Sequence, residues 1–288
     1  VENTVFSRIF NHSQYVSHRV KDAIVDQFRE KAGKRPSVDN KNPDIKIHIH
    51  IQEKKCTLSL DSSGDPLFKR GYRKHQGIAP LNEILAAGIV LLTGWKGHQP
   101  LIDLMCGSAT VLTEAAMIAR NIPAGFFRKR FGFQNWRDFD NELWIKTKES
   151  IPLPALKIGT QITGLEISEE TAAAARQNIQ SAGLSRNIEI KNIPFEEFDC
   201  QHDKGTIITN PPYDERIKNT DIHGFYNMLG NVLKNRFRNF DAWIFTGNMQ
   251  ALKSLGLHSS EKYTLYNGQL ECRLVKFEIY EGSRKQKH

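Results

Sequence analysis

The sequence lacks the features that mark membrane and secreted proteins. It has no run of eighteen or more apolar residues, the length that spans a bilayer. Its first residues show no charged segment followed by an apolar stretch and a small-residue cleavage site. We therefore expect a cytoplasmic protein without membrane contacts. The chain begins with Val1 rather than methionine, and we expect that an N-terminal portion precedes it.

Cysteine is scarce, and no GxGxxG motif occurs. The four cysteines, at positions 56, 106, 200 and 272, form no CxxC pair and have no histidines nearby at metal-ligand spacing. This distribution argues against a disulfide framework and against a zinc site, so we expect no metal. The missing GxGxxG argues against a nicotinamide dehydrogenase.

What the chain does have is enough apolar sequence for a substantial core and a moderate excess of positive charge. With 288 residues and 39% hydrophobic composition, it can form one large domain and a smaller partner. The net charge of +8 permits binding to a phosphate backbone, but many ordinary soluble proteins carry as much. Composition leaves the oligomeric state open.

The first 62 residues have the pattern of a small α+β domain. Apolar residues recur at helical spacing from Val16 to Ala32, and Gly33 supplies a stop signal. Isoleucines alternate with polar residues from Ile45 to Ile51, which predicts a strand with one buried face, and residues 56–60 indicate an antiparallel partner. A cluster of turn formers and a basic run then predict a linker over residues 63–80.

From residue 81 to residue 288, short apolar runs alternate with helical patterns. Strands are predicted at 101–105, 161–165, 188–190, 206–209 and 242–245. This alternation predicts a mostly parallel, doubly wound α/β sheet. The pair Asn267-Gly268 between two apolar runs predicts a hairpin, which would close the sheet with an antiparallel edge.

Two strand ends carry residues suited to holding a nucleoside cofactor. The segment from Asp103 to Ala109 forms a small-residue turn between a strand and a helix, where backbone amides can approach a ligand. Such a turn alone is weak evidence, because tight packing also demands small residues. Glu166 ends the next strand, where a carboxylate can accept both ribose hydroxyls. Its alternative role is to stabilise the dipole of the following helix, which Glu169 and Glu170 can also do.

An insertion from about 121 to 159 separates these two strands. The spacing between Asp103 and Glu166 greatly exceeds the roughly 20 residues of a dinucleotide fold. Within the insertion, basic residues are interleaved with aromatic ones: Phe126, Phe127, Arg128, Lys129, Arg130, Phe131, Phe133, Trp136 and Arg137. Such a mixture can stack bases and neutralise phosphates, but the aromatic residues could equally form a local core.

The most specific signal is Asn210-Pro211-Pro212-Tyr213, directly after an apolar strand. Two prolines lack amide donors and have a fixed φ, so the chain leaves the strand as a stiff loop. The Asn210 side-chain oxygen and the Pro211 carbonyl can accept both hydrogens of an exocyclic base amine, and Tyr213 can stack on an extruded base. An ordinary proline turn is the alternative, which the position at the fourth strand end disfavours.

Together these residues resemble the class I methyltransferases that act on amino groups with S-adenosylmethionine. Within that class the chain resembles the bacterial THUMP-domain methyltransferases, a group similar to the 23S ribosomal RNA guanine-N2 methyltransferase. The motifs that carry this resemblance cover nearly the whole chain, in this order: Lys69-Arg70-Gly71-Tyr72-Arg73, Ala79-Pro80-Leu81, Asp103 to Ala109, Thr113-Glu114-Ala115-Ala116, Phe131-Gly132-Phe133-Gln134-Asn135-Trp136, Asn210-Pro211-Pro212-Tyr213 and Leu265-Tyr266-Asn267-Gly268. One departure is Ala109, where the family usually has glycine.

The resemblance implies a domain layout, a cofactor and a set of site residues. Residues 1–62 would be a partial THUMP domain, an RNA-binding module, and residues 81–288 a Rossmann-like methyltransferase domain. Asp103, Cys106, Gly107 and Ser108 would hold the methionine end of S-adenosylmethionine, Glu166 its ribose, and Asn192 or Ile193 its adenine, with Asn210 contacting both cofactor and base. The expected contacts to nucleic acid are Arg70, Arg73, Lys74, Arg128, Lys129 and Arg130.

The implied function is methyl transfer to an exocyclic base amine, in particular guanine N2 of 23S ribosomal RNA. One alternative is an adenine-N6 DNA methyltransferase, because the same tetrapeptide chemistry serves both amines, although no helix-turn-helix or zinc finger is evident. Another alternative is a noncatalytic RNA-binding or assembly protein. The presence of Asp103, Glu166 and Asn210 argues against it.

Overall fold

The computed structural model describes residues 1–74, 81–152, 158–212 and 221–280. The chain divides into two compact units. The first comprises Val1–Leu67 together with Arg128–Ile151, and the second comprises Phe68–Phe127 together with Pro152–His288. Most of the expected insertion thus belongs to the same unit as the N-terminal residues. No local pattern in the sequence predicts this grouping.

The N-terminal unit is a three-stranded sheet with one long helix and an added helical excursion. Its elements are β1 (Glu2–Phe6), α1 (Ser13–Ala32), β2 (Ile47–Gln52), β3 (Lys55–Leu60), a 3-10 turn (Gly132–Asn135) and α4 (Asn141–Glu149). β1 pairs with β2 in parallel, and β2 pairs with β3 in antiparallel register. The predictions of α1, β2 and β3 are confirmed. β1 was not predicted, because its five residues have no clear alternation of apolar and polar side chains.

The helix α1 packs part of its apolar stripe against this small sheet. Val16 of the helix packs with Ile49 and Ile51 of β2, and all three are buried. The predicted stop signal is confirmed, because Gly33 ends α1 with a φ of 63° and donates its N–H to the Arg29 carbonyl. Glycine adopts this left-handed conformation without the steric penalty that a Cβ would bring.

The second unit is built on a seven-stranded sheet with helices on both faces. Its elements in chain order are α2 (Glu83–Thr93), β4 (Leu101–Asp103), α3 (Thr110–Ala119), β5 (Ile162–Leu165), α5 (Glu169–Ser181), β6 (Ile188–Lys191), a 3-10 turn (Phe195–Glu197), β7 (Gly205–Thr209), α6 (Ile222–Arg236), β8 (Phe240–Thr246), α7 (Met249–Lys253), β9 (Ser259–Asn267) and β10 (Leu270–Glu278). The strand order is β6-β5-β4-β7-β8-β10-β9. The first five strands in this order are parallel, and β10 runs antiparallel to both of its neighbours. The predicted α/β fold with an antiparallel edge is confirmed.

Two apolar clusters cover the two faces of this sheet. Successive residues of a strand point to opposite faces. Leu101 accordingly packs with residues of α2, α3 and α5, whereas its neighbour Ile102 packs with residues of α6 and α7. Burial on both faces explains why the central strands are continuous apolar runs rather than alternating ones.

The hairpin between β9 and β10 is confirmed, with its turn one position later than the sequence indicated. Asn267 still belongs to β9 and pairs with Leu270. The two turn residues are therefore Gly268 and Gln269, and Gly268 has a φ of 64°.

None of the helices within the described ranges is long and apolar enough to cross a membrane. In the same part of the chain, no group of three or more His, Cys, Asp and Glu side chains is arranged to hold a metal ion. The four cysteines are free thiols.

Candidate active site

The chain switches from one side of β4 to the other between β6 and β7. β5 and β6 lie on one side of β4, and β7 and β8 lie on the other. Doubly wound folds bind ligands in the crevice that such a reversal opens at the carboxyl ends of the strands. Asp103 ends β4, Glu166 follows β5 and Asn210 follows β7, so the structure brings these three predicted residues to one edge of the sheet.

A cavity of about 470 Å³ opens at this edge. Its wall combines predicted site residues with apolar residues that the sequence did not reveal: Glu166, Ile193, Asn210, Pro211 and Pro212, together with Phe195, Phe225 and Met228.

The apolar part of the wall comes from α6 and from the 3-10 turn after β6. Phe225 and Met228 are three residues apart on α6, a spacing that places side chains on the same helix face. The ring of Phe195 contacts that of Phe225 edge to face, with centroids 5.8 Å apart. The helical spacing after the proline loop was the available signal for Phe225 and Met228.

Asp103 is almost fully buried, with 2% of its surface exposed. Burial raises the pKa of its carboxyl from the usual 3.8 to about 7. A hydrogen bond that Oδ1 accepts from the Met105 N–H, at 3.1 Å, opposes the rise, and the negative charge of Glu166 adds to it. A cation placed beside this carboxyl would favour its ionised form.

Glu166 connects two loops at the strand ends. Its Oε2 accepts a hydrogen bond from the Gly107 N–H at 3.1 Å, and its Oε1 accepts one from the Ser168 N–H at 2.9 Å. Each carboxylate oxygen has a further lone pair. Because the side chain also lines the cavity, both oxygens remain able to accept hydrogen bonds from a ligand hydroxyl.

Asn192 and Ile193, both expected near an adenine, differ in their placement. Ile193 lines the cavity. The Asn192 side-chain amide instead donates to the carbonyls of Glu166 and Ile167, at 2.8 Å and 3.0 Å. Asn192 thus fixes the loop that carries Glu166, and Ile193 is the better candidate for contact with a base.

The turn after β4 has left-handed backbone at two positions and an unpredicted support. Gly107 and Ala109 have φ values of 53° and 63°. This conformation costs an alanine roughly 1–2 kcal/mol, which gives a physical reason for glycine at such a position. The fully buried Asn178 of α5 donates to the Ser108 carbonyl at 3.3 Å and accepts from the Lys74 N–H at 2.9 Å.

Cys106 contributes packing rather than a reactive thiol. Its side chain is buried, and burial raises the pKa of the thiol well above its usual value. A Cβ added to Gly164 of β5 would lie 2.8 Å from the Cys106 sulfur, so this turn approaches the strand closely. The Cys106 N–H donates to the Leu165 carbonyl at 2.9 Å, which holds the turn against β5.

Asn210 presents an unused acceptor where β7 enters the proline loop. Its Oδ1 is buried and has no hydrogen-bond partner among the described residues. A buried acceptor without a partner costs about 1–3 kcal/mol, so such atoms are uncommon. Because Asn210 lines the cavity, a ligand donor can satisfy this oxygen. Tyr213, the last residue of the motif, lies outside the described residues.

Arg70 is largely buried and paired within its own unit, whereas its position in a basic run predicts contact with nucleic acid. Its side chain is 10% exposed and pairs with Glu114 of α3 at 3.4 Å. The hydroxyl of Tyr72 donates to the same carboxylate at 3.0 Å. Arg70 therefore holds this segment against α3.

Arg73 also makes its contacts within its own unit, and its predicted contact with nucleic acid stays a prediction. Its side chain is 8% exposed and pairs with Glu83 of α2 at 3.4 Å. It also donates to the Thr110 hydroxyl at 2.7 Å and to the Leu81 carbonyl at 2.8 Å. Lys74, in contrast, is exposed.

Arg128 organises a loop of its own unit. Its guanidinium donates to the carbonyls of Ser63, Asp65 and Pro66, at 3.0, 2.8 and 3.0 Å. These bonds involve both terminal nitrogens, and the contact of Arg128 with nucleic acid stays a prediction. Lys129 and Arg130 are exposed.

The sheet order, the antiparallel final strand, the acidic residue after β5 and the proline loop after β7 together define a class I methyltransferase. More narrowly, the chain belongs to the family of the RMKL-like methyltransferase domain, whose model matches residues 70–276. A THUMP domain model matches residues 4–61.

Two relatives illustrate the range of this similarity. The protein slr0064 of Synechocystis, provisionally named an RNA methyltransferase, is 40% identical over 274 residues, which cover 94% of this chain and 71% of slr0064. The ribosomal RNA large subunit methyltransferase K/L of Syntrophotalea carbinolica is 39% identical over 284 residues, which cover 94% of this chain and 40% of that protein. The chain therefore spans less than half of the K/L protein.

Two solved structures are similar in fold and sequence. SMU.472, a provisionally named methyltransferase in complex with SAH, has a TM-score of 0.85 and 28% identity, covering 98% of this chain and 74% of its own. A Listeria monocytogenes protein, named as a predicted N6-adenine-specific DNA methylase, has a TM-score of 0.81 and 28% identity, covering 96% of this chain and 72% of its own.

Proposed function

We propose that the chain is an S-adenosylmethionine-dependent methyltransferase that modifies the N2 amine of a guanine in 23S ribosomal RNA. The unpartnered Oδ1 of Asn210, beside a cavity at the switch point of the sheet, supports methyl transfer to an exocyclic base amine most directly. The SAH bound to SMU.472 is the demethylated form of the proposed cofactor and supports the choice of methyl donor. The name of the K/L relative supports large-subunit ribosomal RNA as the substrate.

The residues around the cavity fit this cofactor. Glu166 offers carboxylate oxygens to the ribose hydroxyls, and Ile193 and Phe195 offer apolar surface to the adenine ring. The buried carboxyl of Asp103 suits the cationic amino group of the methionine end, and the Cys106, Gly107 and Ser108 backbone lies at the N-terminus of α3, which favours its carboxylate. When bound, S-adenosylmethionine supplies an electrophilic methyl group on a sulfonium.

The proline loop supplies the orientation that the base amine needs. The lone pair of an exocyclic amine is delocalised into the ring, which makes it a poor nucleophile. Asn210 Oδ1 and the Pro211 carbonyl would accept its two hydrogens and favour a tetrahedral nitrogen, whose lone pair is localised and can face the methyl group. Because Pro211 and Pro212 restrict the backbone, these acceptors stay fixed during the reaction. Tyr213 would stack on the base once it is extruded.

RNA is the proposed substrate because the THUMP model matches residues 4–61 and the relatives are named as RNA methyltransferases. The name of the Listeria monocytogenes structure favours the second candidate, adenine-N6 methylation of DNA, since the Asn210 chemistry serves both amines. The proposed partner is RNA of the large ribosomal subunit, contacted by Lys74, Lys129 and Arg130, and the proposed compartment is the cytoplasm.

Transfer of labelled methyl groups to total RNA and to genomic DNA, each from cells that lack the gene, tests this function. Nucleoside analysis should find N2-methylguanosine in RNA. N6-methyladenine in DNA would establish the second candidate instead. Absence of transfer to either nucleic acid would favour a noncatalytic RNA-binding protein.

A further inference from the structure

The N-terminal unit contains an aromatic groove of about 420 Å³. We define the aromatic groove by four of the side chains on its wall: Trp136, Phe139, Leu143 and Trp144. The rings of Phe139 and Trp144 pack on Phe133, with centroids 5.8 Å and 5.2 Å apart. This packing fixes the orientation of the Phe139 and Trp144 rings on the wall of the aromatic groove.

Packing into a local core explains only some of the side chains in and around the aromatic groove. Phe131 and Phe133 stack on each other at 5.4 Å, as core rings do. Leu143, however, is 61% exposed although it lines the aromatic groove. The indole N–H of Trp136 is buried and has no acceptor among the described residues, whereas a buried Trp N–H usually finds a partner. Flat apolar walls with an unused donor are suited to a heteroaromatic ring.

The charges around the aromatic groove distinguish its interior from its rim. The Nζ of Lys148 lies 5.5 Å from the centroid of the Trp144 ring, and the exposed Arg137 lies between two wall residues in sequence. These cations can neutralise backbone phosphates. Asp138 and Asp140 lie on the wall itself and would repel a phosphate from the interior. A base is therefore better suited to the interior than a phosphate.

We propose that the aromatic groove binds one unpaired base of single-stranded RNA, with the flanking phosphates at Arg137 and Lys148. This inference rests on the proposed function, because it requires an RNA substrate. Stacking on Trp136 and Trp144 would hold the base. The Asp138 carboxylate can accept hydrogens from an amino group, which adenine, guanine and cytosine have and uracil lacks. We therefore expect oligo(A) to bind better than oligo(U).

Binding of a fluorescently labelled oligo(A) to the full chain tests this site with a matched pair of variants. Leu143→Glu places a charge on the wall of the aromatic groove. Ile145→Glu places the same charge on the same helix at a position that is 40% exposed and is not on the wall. Leu143→Glu should weaken binding about tenfold or more, which corresponds to the loss of one stacked base. Ile145→Glu should change the affinity by less than about twofold.

Equal weakening by both variants would show a general effect of charge and would overturn the proposal. Unchanged binding by Leu143→Glu would also overturn it. Circular dichroism of both variants checks that they fold. Methyl transfer by the wild-type chain is measured separately. Transfer to RNA together with equal binding by both variants would contradict only the RNA-binding role of the aromatic groove. Absence of transfer to RNA would contradict the proposed function.

Discussion

Replacing Asp103 with asparagine should stabilise the free protein at pH 8 and weaken its binding of S-adenosylhomocysteine. Burial raises the carboxyl pKa of Asp103 from 3.8 to about 7. At pH 8 the folded protein therefore holds an ionised carboxylate in a buried site, whereas the unfolded chain exposes it to water. Because the folded pKa is the higher one, the contribution of this group to the free energy of unfolding falls as the pH rises from about 4 to 7.

The size of this effect follows from the two pKa values. Each pKa unit corresponds to about 1.4 kcal/mol, so a rise from 3.8 to about 7 costs the folded protein up to ~4 kcal/mol at pH 8. Asparagine has nearly the same shape, remains neutral and can still accept the Met105 hydrogen bond. Asp103→Asn should thus exceed the wild type in stability at pH 8, and the difference should shrink as the pH is lowered.

Cofactor binding should favour the ionised carboxylate of Asp103, the form that destabilises the free protein, because the amino group of the ligand is cationic. If only the ionised carboxylate binds, about half of the protein is competent at pH 7 and about one tenth at pH 6. The Kd for S-adenosylhomocysteine should then increase about fivefold from pH 7 to pH 6. Asp103→Asn should bind more weakly at pH 7 and should lose this part of the pH dependence.

Two assays check both effects. Urea unfolding of the two proteins at pH 6 and pH 8 measures stability, and isothermal titration calorimetry at pH 6 and pH 7 measures the affinity for S-adenosylhomocysteine. A variant that is less stable than the wild type at pH 8 would refute the reasoning about burial. The same pH dependence of Kd in both proteins would refute the assignment of Asp103 to the cofactor amino group.

Three further predictions concern packing and hydrogen bonds within the second unit. Glu114→Ala leaves the buried Arg70 without its carboxylate and should cost ~3–5 kcal/mol in urea unfolding; a cost below ~1 kcal/mol would contradict this. Gly230→Ala should lower the free energy of unfolding by ~1–3 kcal/mol, because the new methyl group would overlap the Leu255 carbonyl. Gly88→Ala, in open space on α2, should raise the free energy of unfolding by ~0.5–1 kcal/mol. A more stable Gly230→Ala than Gly88→Ala would be inconsistent with this packing. Asn178→Ala removes the hydrogen bond to the Ser108 carbonyl in the turn after β4. This variant should raise the Kd for S-adenosylhomocysteine with little change in kcat at saturation. An unchanged Kd would exclude a role of Asn178 in holding the turn for the cofactor.

The elements that could be predicted are those whose signal is local. The alternating isoleucines of β2 and the helical spacing of α1 each follow from side chains within one segment. The buried strands β4, β5 and β7 appear as short apolar runs, and the residues at their ends meet because parallel strands share a carboxyl edge. This is why sequence patterns alone group Asp103, Glu166 and Asn210 at one site.

The contacts that the sequence did not predict belong to residues whose environment is set by distant parts of the chain. Arg70 belongs to a basic run, and only the approach of Glu114, 44 positions later, makes it a buried ion pair. Arg128 similarly meets the carbonyls of residues 63–66. Asn192 follows a strand end as a ligand contact would, but two nearby carbonyls occupy its amide. Sequence periodicity contains no information about such partners.

The rate of methyl transfer by Asn210→Ala tests the proposed reaction centre most directly. Asn231→Ala is the matched control, because Asn231 is exposed on α6. With 23S ribosomal RNA from cells that lack the gene, Asn210→Ala should transfer methyl groups about 100-fold more slowly or worse, as loss of a transition-state contact does. Its Kd for S-adenosylhomocysteine should stay within about twofold of the wild type, and Asn231→Ala should match the wild type in both respects. Equal rates for Asn210→Ala and the wild type would contradict a catalytic role for the Asn210 oxygen.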